Sequence, residues 1–371
     1  MAQGVSTRGD VLVNETSDGV NLNDIWEEIQ DVLELYNAER SAVASLLSYR
    51  TIQVADAVPQ SVSSDSFEEA TEAGIPRAIR PPSDVLRLGY NFKDWDLRTA
   101  FTWKFLRAAT AEQITASVTR IFESDNKNIT GAILERLCNP TPVYNEWNHT
   151  CYGLWCNDGQ TPPPYLGRTF PSSTTHYWTT GSNVIDSQDI EDMIRAIKVK
   201  GYGQVGTTML ILANPDDVDA ATMTAWRAGV EYRTGGPLPK FDFIPSALLP
   251  AWISDETIHG NVPSTEFNGL EVWGSYNGAL LIQSNFVPAG YVIVAASGGP
   301  NSDMNPVALR EHPNPAYQGL RVIPGHGPYP LQDSFFARGF GTGVRHRSAA
   351  VVCKITTSST YTAPTKLQIP R

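Results

Sequence analysis

Apolar residues recur at every second position at Leu86, Leu88, Tyr90 and Phe92, and again at Phe101, Trp103 and Phe105. That period predicts strands with one buried face. Before them runs an acidic stretch, SDSFEEATEAG, and a tip rich in Gly and Pro, GIPRAIRPP at 74–82. Together these segments predict a long exposed ribbon that goes out through the tip and returns as strand. At Thr110 the period changes to that of a helix, with Ile114, Val118, Ile121, Phe122, Ile129, Ile133 and Leu137 on one face. Thr110 and Gln113 form a capping box, in which each side chain satisfies a backbone donor that the first turn leaves open. At ~1.5 Å per residue the helix makes a rod of ~42 Å, stopped by Asn139-Pro140.

The other elements follow the same logic. Residues 1–22 are polar and without period, as in an arm ordered only by neighbours. A helix is predicted from Asp24, with Glu27 at the capping-box position, to about Tyr49. Residues 139–185 read as loop. Asp186 opens a helix whose Ile190, Met193, Ile194 and Ile197 face a core, with Gly201 as its stop. A strand is predicted at 207–213, a helix from the Asn214–Asp217 turn to near Gly229, and strands at 279–283 and 291–296. The C-terminal run from Phe335 closes a sheet. No internal repeat or low-complexity tract occurs.

Four segments, FEEATEAGIPRAIRPP, LGYNFKDWDLRTAFTWKFL, ATAEQITASV and FFARGFGTGVRHRSAAVV, give the chain its resemblance to the HK97-type major capsid proteins of tailed bacteriophages. The likeness is greatest to phages of actinobacteria, and it runs through nearly the whole chain in order. It implies an α+β fold with an N-terminal arm and helix (1–50), an extended loop (51–109) and a long spine helix with the peripheral domain (110–185). An axial domain (186–324) and a return to the peripheral domain (325–371) complete it. It implies a structural protein, not an enzyme, whose pentamers and hexamers form an icosahedral shell around double-stranded DNA, assembled in the host cytoplasm. Expected partners are other copies of the chain, a portal, scaffolding or decoration proteins, and DNA held without sequence-specific binding. A shell of the same fold enclosing protein cargo is the alternative.

Composition narrows this picture further. Of 371 residues, 41% are hydrophobic, enough for a sizeable core, whereas 18% are charged, few for a fully solvated surface. The net charge of −11 argues against a protein that grips nucleic acid over its whole surface. No apolar run is long enough to span a bilayer, and the first residues lack the apolar core of a secretory signal. Four cysteines do not make a disulfide framework; Cys151 and Cys156 are close enough in sequence for a local disulfide, with two reduced thiols as the reading expected of a cytosolically made protein.

Motifs for chemistry are sparse, and no cofactor or metal is expected. Gly339-Phe340-Gly341-Thr342-Gly343 lacks the following helix that a phosphate cradle needs, and reads instead as a tight turn within a sheet. His149, Cys151 and Cys156 have zinc-ligand chemistry but no fourth ligand in a motif-like position. Carboxylate pairs mark solvated helix starts. A carbohydrate-active enzyme, suggested only by nine Trp and acidic surfaces, is the remote third class.

The candidate functional residues are therefore contacts between subunits. Glu68 and Glu69 precede the ribbon tip, and Arg77 and Arg80 lie on it. Some relatives lock their shells through a lysine near the tip and an asparagine in the peripheral domain. Here the tip carries arginines, whose guanidinium is not an amine nucleophile. The nearest lysines are Lys93 and Lys104, and no asparagine follows Asn314. Non-covalent assembly is expected. Residues 1–50 hold nine acids against three arginines, a net of −6, while residues 331–371 hold six bases against Asp333, a net of +5. That asymmetry predicts that Glu27, Glu28 and Asp31 of one subunit meet Arg345 and Arg347 of another. Deletion of residues 66–92 is expected to spare the core and abolish shells.

Overall fold

A computed structural model describes residues 14–38, 41–60, 85–106, 108–218, 223–248, 261–327 and 329–365, with positions 67, 69, 70, 74, 75 and 78 of the ribbon. Helix α1 spans Leu22–Ala38 and buries Leu22, Ile25, Trp26, Ile29 and Leu33. Its start is set by Asn21, whose Oδ1 accepts the Asn23 amide at 2.9 Å, three residues before the expected Asp24. The helix also ends earlier than its period suggests. Ser41 caps a separate short helix α2 (Ala42–Leu47), and the chain passes at once into strand β1 (Ser48–Thr51). The single helix expected as far as Tyr49 is thus two helices and a strand. The competing force is tertiary: β1 lies parallel to 307–310, and that ladder outweighs local helical preference.

Strand β2 (Ala55–Pro59) pairs antiparallel with β3 (Val85–Gly89), forming the two-stranded base of the ribbon. Leu86 and Leu88 are buried there, as their alternation predicts, and Tyr90 beyond the strand is fully buried. Strand β4 (Lys93–Arg98) follows. The second predicted alternation is not a strand, because Trp103–Leu106 form one helical turn, α3. Phe101 and Phe105 are four residues apart, and their rings stack with centroids 5.6 Å apart. Aromatics at 101 and 105 fit a turn of helix as well as a strand. The expected deletion of 66–92 would therefore remove core, since it takes Leu86, Leu88 and Tyr90 with it.

Helix α4 is Ala111–Cys138, with the Thr110–Gln113 capping box and the Asn139 stop as predicted. Asp18 from the preceding segment adds its carboxylate to the Ala111 amide at 3.1 Å, at the positive end of the helix. Two-residue strands β5 (Val143–Tyr144) and β6 (Thr150–Cys151) form a hairpin, and β7 (Tyr177–Thr179) follows a long loop. Helix α5 (Ser187–Lys198) begins at Asp186 and stops short of Gly201, which sits at φ +88°.

Strand β8 (Thr208–Ala213) is followed by turns; the helix expected toward Gly229 falls partly on 219–222, outside the described residues. The next strands are β9 (Ile244–Pro245), β10 (Glu266–Phe267), β11 (Leu270–Tyr276), β12 (Ala279–Gln283) and β13 (Tyr291–Ser297). Strands β14 (Val307–Glu311), β15 (Arg321–Ile323), β16 (Phe335–Val344) and β17 (Ala350–Lys354) complete the chain.

Two sheets organise these elements. The larger has eight strands, in the order β10-β11-β12-β8-β13-β17-β7 with β9 on β11. One face of β8 and β13 packs Leu210, Leu212, Ile293 and Ala295 against α4 residues such as Ile133 and Leu137. The other face packs Met209, Ile211, Val292 and Val294 against α5. The second sheet has five strands, β1-β14-β16-β15, with β4 paired to β16. Against it lies a third apolar cluster joining α1, the start of α4 and Phe336.

The glycine run in β16 is not the tight turn expected of it. Residues 335–344 form one continuous strand. Glycines at every second position leave one face of that strand bare, and the backbone of 89–92 lies directly on it. A Cβ at Gly341 would stand 1.5 Å from the Asn91 carbonyl oxygen, and one at Gly343 would meet the Tyr90 ring at 2.5 Å. The repeat serves close backbone approach.

Candidate assembly interface

The base of the ribbon is fixed by polar contacts from five directions. Arg345 pairs with Asp56 on β2 at 2.9 Å, and Tyr90 donates its hydroxyl to the same carboxylate at 3.4 Å. Burial pushes the Tyr90 hydroxyl far above its ordinary value, so it remains a donor. Asn145 on the β5–β6 hairpin donates to the carbonyls of Val54 and Tyr90 at 3.1 and 3.3 Å. Arg310 on β14 donates to the Tyr90 carbonyl at 3.1 Å and pairs with Glu146 at 2.6 Å. Burial pushes Glu146 up, but the Arg310 hydrogen bond and the backbone outweigh it and hold the carboxyl below its usual value. Asn91 accepts the Thr342 amide at 2.5 Å. These contacts tie the 54–56 and 90–91 segments at the ribbon base to the body.

Beside this base, the β5–β6 hairpin presents Tyr144 and Trp147, each 66% exposed, together with Val143. Large aromatic residues standing free next to the ribbon base have the composition of an interface centre. On the ribbon itself, Phe67 and Ile75 are fully exposed.

The residues singled out from sequence fall into separate places. Glu68, Arg77 and Arg80 lie outside the described residues, and Glu69 is exposed. Glu27, Glu28 and Asp31 are exposed on the outer face of α1. No carboxylate of these three has a cationic partner within 4 Å among the described residues. Arg345 is already engaged by Asp56 of its own chain. Arg347 is 3% exposed and cannot present itself to a neighbour, which corrects its place among the contacts. Its guanidinium pairs with Asp158, donates to the Gly153 and Leu154 carbonyls, and lies 4.0 Å over the Trp155 ring. An exposed Arg would gain little from one carboxylate. This one ties the loop after α4 to the strand end.

Sequence reasoning missed a second buried pair, Asp125 of α4 with Arg338 of β16, each about 6% exposed in its side chain. Tyr36 of α1 donates to the same carboxylate at 2.9 Å, so three elements meet on one acid. One signal was available: Asp125 interrupts the apolar face of a long helix. Its partner could not be read, because Arg338 is 213 residues away.

Nothing among the described residues gathers three or more His, Cys, Asp or Glu side chains into a metal-binding group. All four cysteines carry free thiols, and burial pushes Cys151 up to about 11 and Cys353 up to about 12, away from nucleophilic thiolate. His176 is buried with Nδ1 2.6 Å from the Ala350 carbonyl, a core histidine in the sheet. No described helix is long and apolar enough to cross a membrane.

Comparison with known proteins gives one decisive likeness. No family model and no curated protein matches the chain. Among solved structures, a chain of Mycobacterium phage Patience is 35% identical, with a TM-score of 0.72, over 98% of this chain and 96% of that one. The capsid of the native GTA particle is more distant, at 12% identity and TM-score 0.44 over 86% and 92%. So is an encapsulin of Synechococcus elongatus, at 14% and 0.41 over 90% and 98%. Identity at the level of the Patience chain, held from end to end, carries the conclusion that this chain belongs to the HK97-type major capsid proteins of actinobacterial tailed phages, non-enzymatic subunits that self-assemble into the virion shell.

Proposed function

We propose that the subunit assembles as pentamers and hexamers around double-stranded DNA, and that each ribbon lies across an adjacent copy. The observation that carries this reading is the ribbon. Its base is clamped, while Phe67 and Ile75 farther out are wholly exposed on the single chain. Bare apolar side chains beyond the β2–β3 pair need cover, and the neighbouring copy supplies it. Glu68, Glu69, Arg77 and Arg80 are assigned to that contact. The DNA is held without base recognition, as suits a chain with a net charge of −11. Portal and scaffolding or decoration proteins complete the particle.

The division proposed for the chain is arm (1–50), extended loop (51–109), spine and peripheral domain (110–185), axial domain (186–324) and peripheral return (325–371). The sheets cross these bounds: β1, β4, β14 and β15 share the five-stranded sheet with β16, while β7 and β17 join the eight-stranded one. Assembly is non-covalent, because the tip offers arginine where a linking amine is needed.

The test replaces residues 64–84 by a short Gly-Ser turn, keeping β2 and β3. Folded subunits without shells are expected. Shells of normal size from this variant overturn the assignment, and linked ladders of the parent on denaturing electrophoresis overturn the non-covalent part.

A further inference from the structure

The C-terminal end of α5 and the loop before β7 border a shallow, open cleft of about 340 Å³ lined by Arg168, Phe170, Trp178, Arg195 and Lys200, with Asp192 as its acid. One wall of the cleft is fixed by local structure. Leu166 and Gly167 both have positive φ, and Tyr165 and Arg168 exchange backbone hydrogen bonds at 2.9 and 3.0 Å, a tight two-residue hairpin that fixes Arg168. Gly201 leaves room for the Tyr165 ring, which a Cβ would meet at 2.5 Å. The hairpin is thereby seated on the end of α5.

Asp192 is the one acid that, among the described residues, lines the cleft beside three basic side chains. Among the described residues, Arg168, Arg195 and Lys200 form no ion pair. Lys200 donates to the Ala196 carbonyl at 3.1 Å and lies 5.1 Å over the Phe170 ring, and Arg168 lies 5.8 Å over that ring. In a protein of net charge −11, a concave group of cations and aromatics calls for a specific anionic partner.

The complementary surface is on the same chain. The outer face of α1 exposes Glu27, Glu28, Asp31 and Glu34, with Val32 at 43% and Leu35 at 72% exposure. From Glu27 to Glu34 is about two turns, ~10 Å along the helix. Carboxylates and two apolar side chains on one face answer cations and two aromatics in the other. Within one subunit they do not meet, since α1 packs with α4 and Phe336 whereas α5 packs on the far face of the eight-stranded sheet.

We propose that the cleft beside α5 receives the acidic outer face of α1 from a second copy of the chain. This rests on the shell-forming reading above, and it replaces Arg345 and Arg347, which are engaged inside their own subunit, as the basic partners of Glu27, Glu28 and Asp31. Many weak exposed pairs select which surfaces meet and are screened by salt.

The experiment is a charge swap read by electron microscopy and sedimentation at low salt, with the parent forming shells as its reference. Parent subunits that form no shells would sink the capsid reading itself. The triple variant E27K/E28K/D31K and the double variant R168E/R195E are each expected to give about tenfold fewer shells, and the combined chain is expected to recover most of the yield. The neutral variants E27Q/E28Q/D31Q and R168Q/R195Q are expected to show smaller losses and a flattened salt dependence. Unchanged melting of unassembled subunits separates these effects from misfolding. The proposal is overturned if either reversal assembles like the parent, or if the combined chain, folded, remains unassembled. It is also overturned if R168E/R195E forms shells normally and only holds less DNA, since the cleft would then be a phosphate contact.

Discussion

The eight-stranded sheet and the region where α4 meets β16 solve the folding problem in different ways. In the sheet, every residue of β13 is buried and β8 is buried from Met209 on, with apolar clusters on both faces. Burial of this kind is strong but undirected, at roughly 1.5–3 kcal/mol per large side chain. Around α4 and β16 the chain instead buries charge: Asp125 with Arg338, Arg347 with Asp158, and Arg310 with Glu146 at the rim. Buried pairs add little net stability over an apolar core, but they tolerate few alternative geometries. The first region makes the subunit stable. The second fixes how the ribbon base and the long helix sit on the body, and in a closed shell a small angular error is repeated in every copy.

The harshest way to break that comparison is Gly341→Ala. Its Cβ would collide with a backbone oxygen, and neither strand can yield without displacing the ribbon base. We expect a loss of about 4 kcal/mol or more, seen as failure to recover folded subunits. Normal melting of G341A would show that the 89–92 segment does not lie on β16 as described.

Next comes a matched pair. Leu212→Ala opens a cavity in the eight-stranded sheet and costs about 2–5 kcal/mol. Arg338→Met strands the buried Asp125 carboxylate and costs about 3–5 kcal/mol. Urea unfolding should rank them together, whereas microscopy should separate them: L212A shells remain regular and R338M shells do not. Adding Asp125→Asn to R338M should recover much of the stability. Equally regular shells from both variants would remove the distinction between the two regions.

How much of this was legible in sequence depends on how local the deciding force is. Elements with a regular apolar face are written in period and caps. The 110–138 helix, the Asp186 start, and the strands at 208–213, 279–283 and 291–297 all lie where the pattern puts them. The misreadings fall where a distant segment decides. Ser48 and Tyr49 leave the helix for a ladder with β14, and the 339–343 glycines look like a turn until Asn91 is seen lying on them. Arg347 shows the limit for sites, since sequence gives its charge but not the Trp155 ring and Asp158 carboxylate that occupy it.

A smaller effect is expected at the ribbon base. Arg345→Met removes a pair whose side chains are 36% and 23% exposed, so stability should fall by only about 0–1 kcal/mol. Shell size should nonetheless become heterogeneous, because Asp56 anchors β2. Uniform shells from R345M would mean that Asn145, Arg310 and Asn91 aim the ribbon without help.

The smallest effect tests the stable region through pH. Asp189, in the first turn of α5, accepts the Asp186 amide at 3.0 Å. Burial, added to the nearby Asp186 and Asp192 charges, raises its carboxyl to about 6. A raised value means that the folded chain binds the proton more tightly than the unfolded one. The contribution of this group is therefore full below about pH 4 and is lost as pH rises through about 6. Asn at this position keeps an acceptor oxygen without the charge. Asp189→Asn should stabilise the subunit by about 1 kcal/mol or less at pH 7.5, because the favourable position of a negative charge near a helix N-terminus offsets part of the burial cost. The gain should vanish at pH 4, where the parent is already protonated. Unfolding curves at the two pH values decide it. A D189N subunit that is weaker at pH 7.5 would show that the charge at the start of α5 outweighs its burial, and that even this apolar region relies on a directed electrostatic contact.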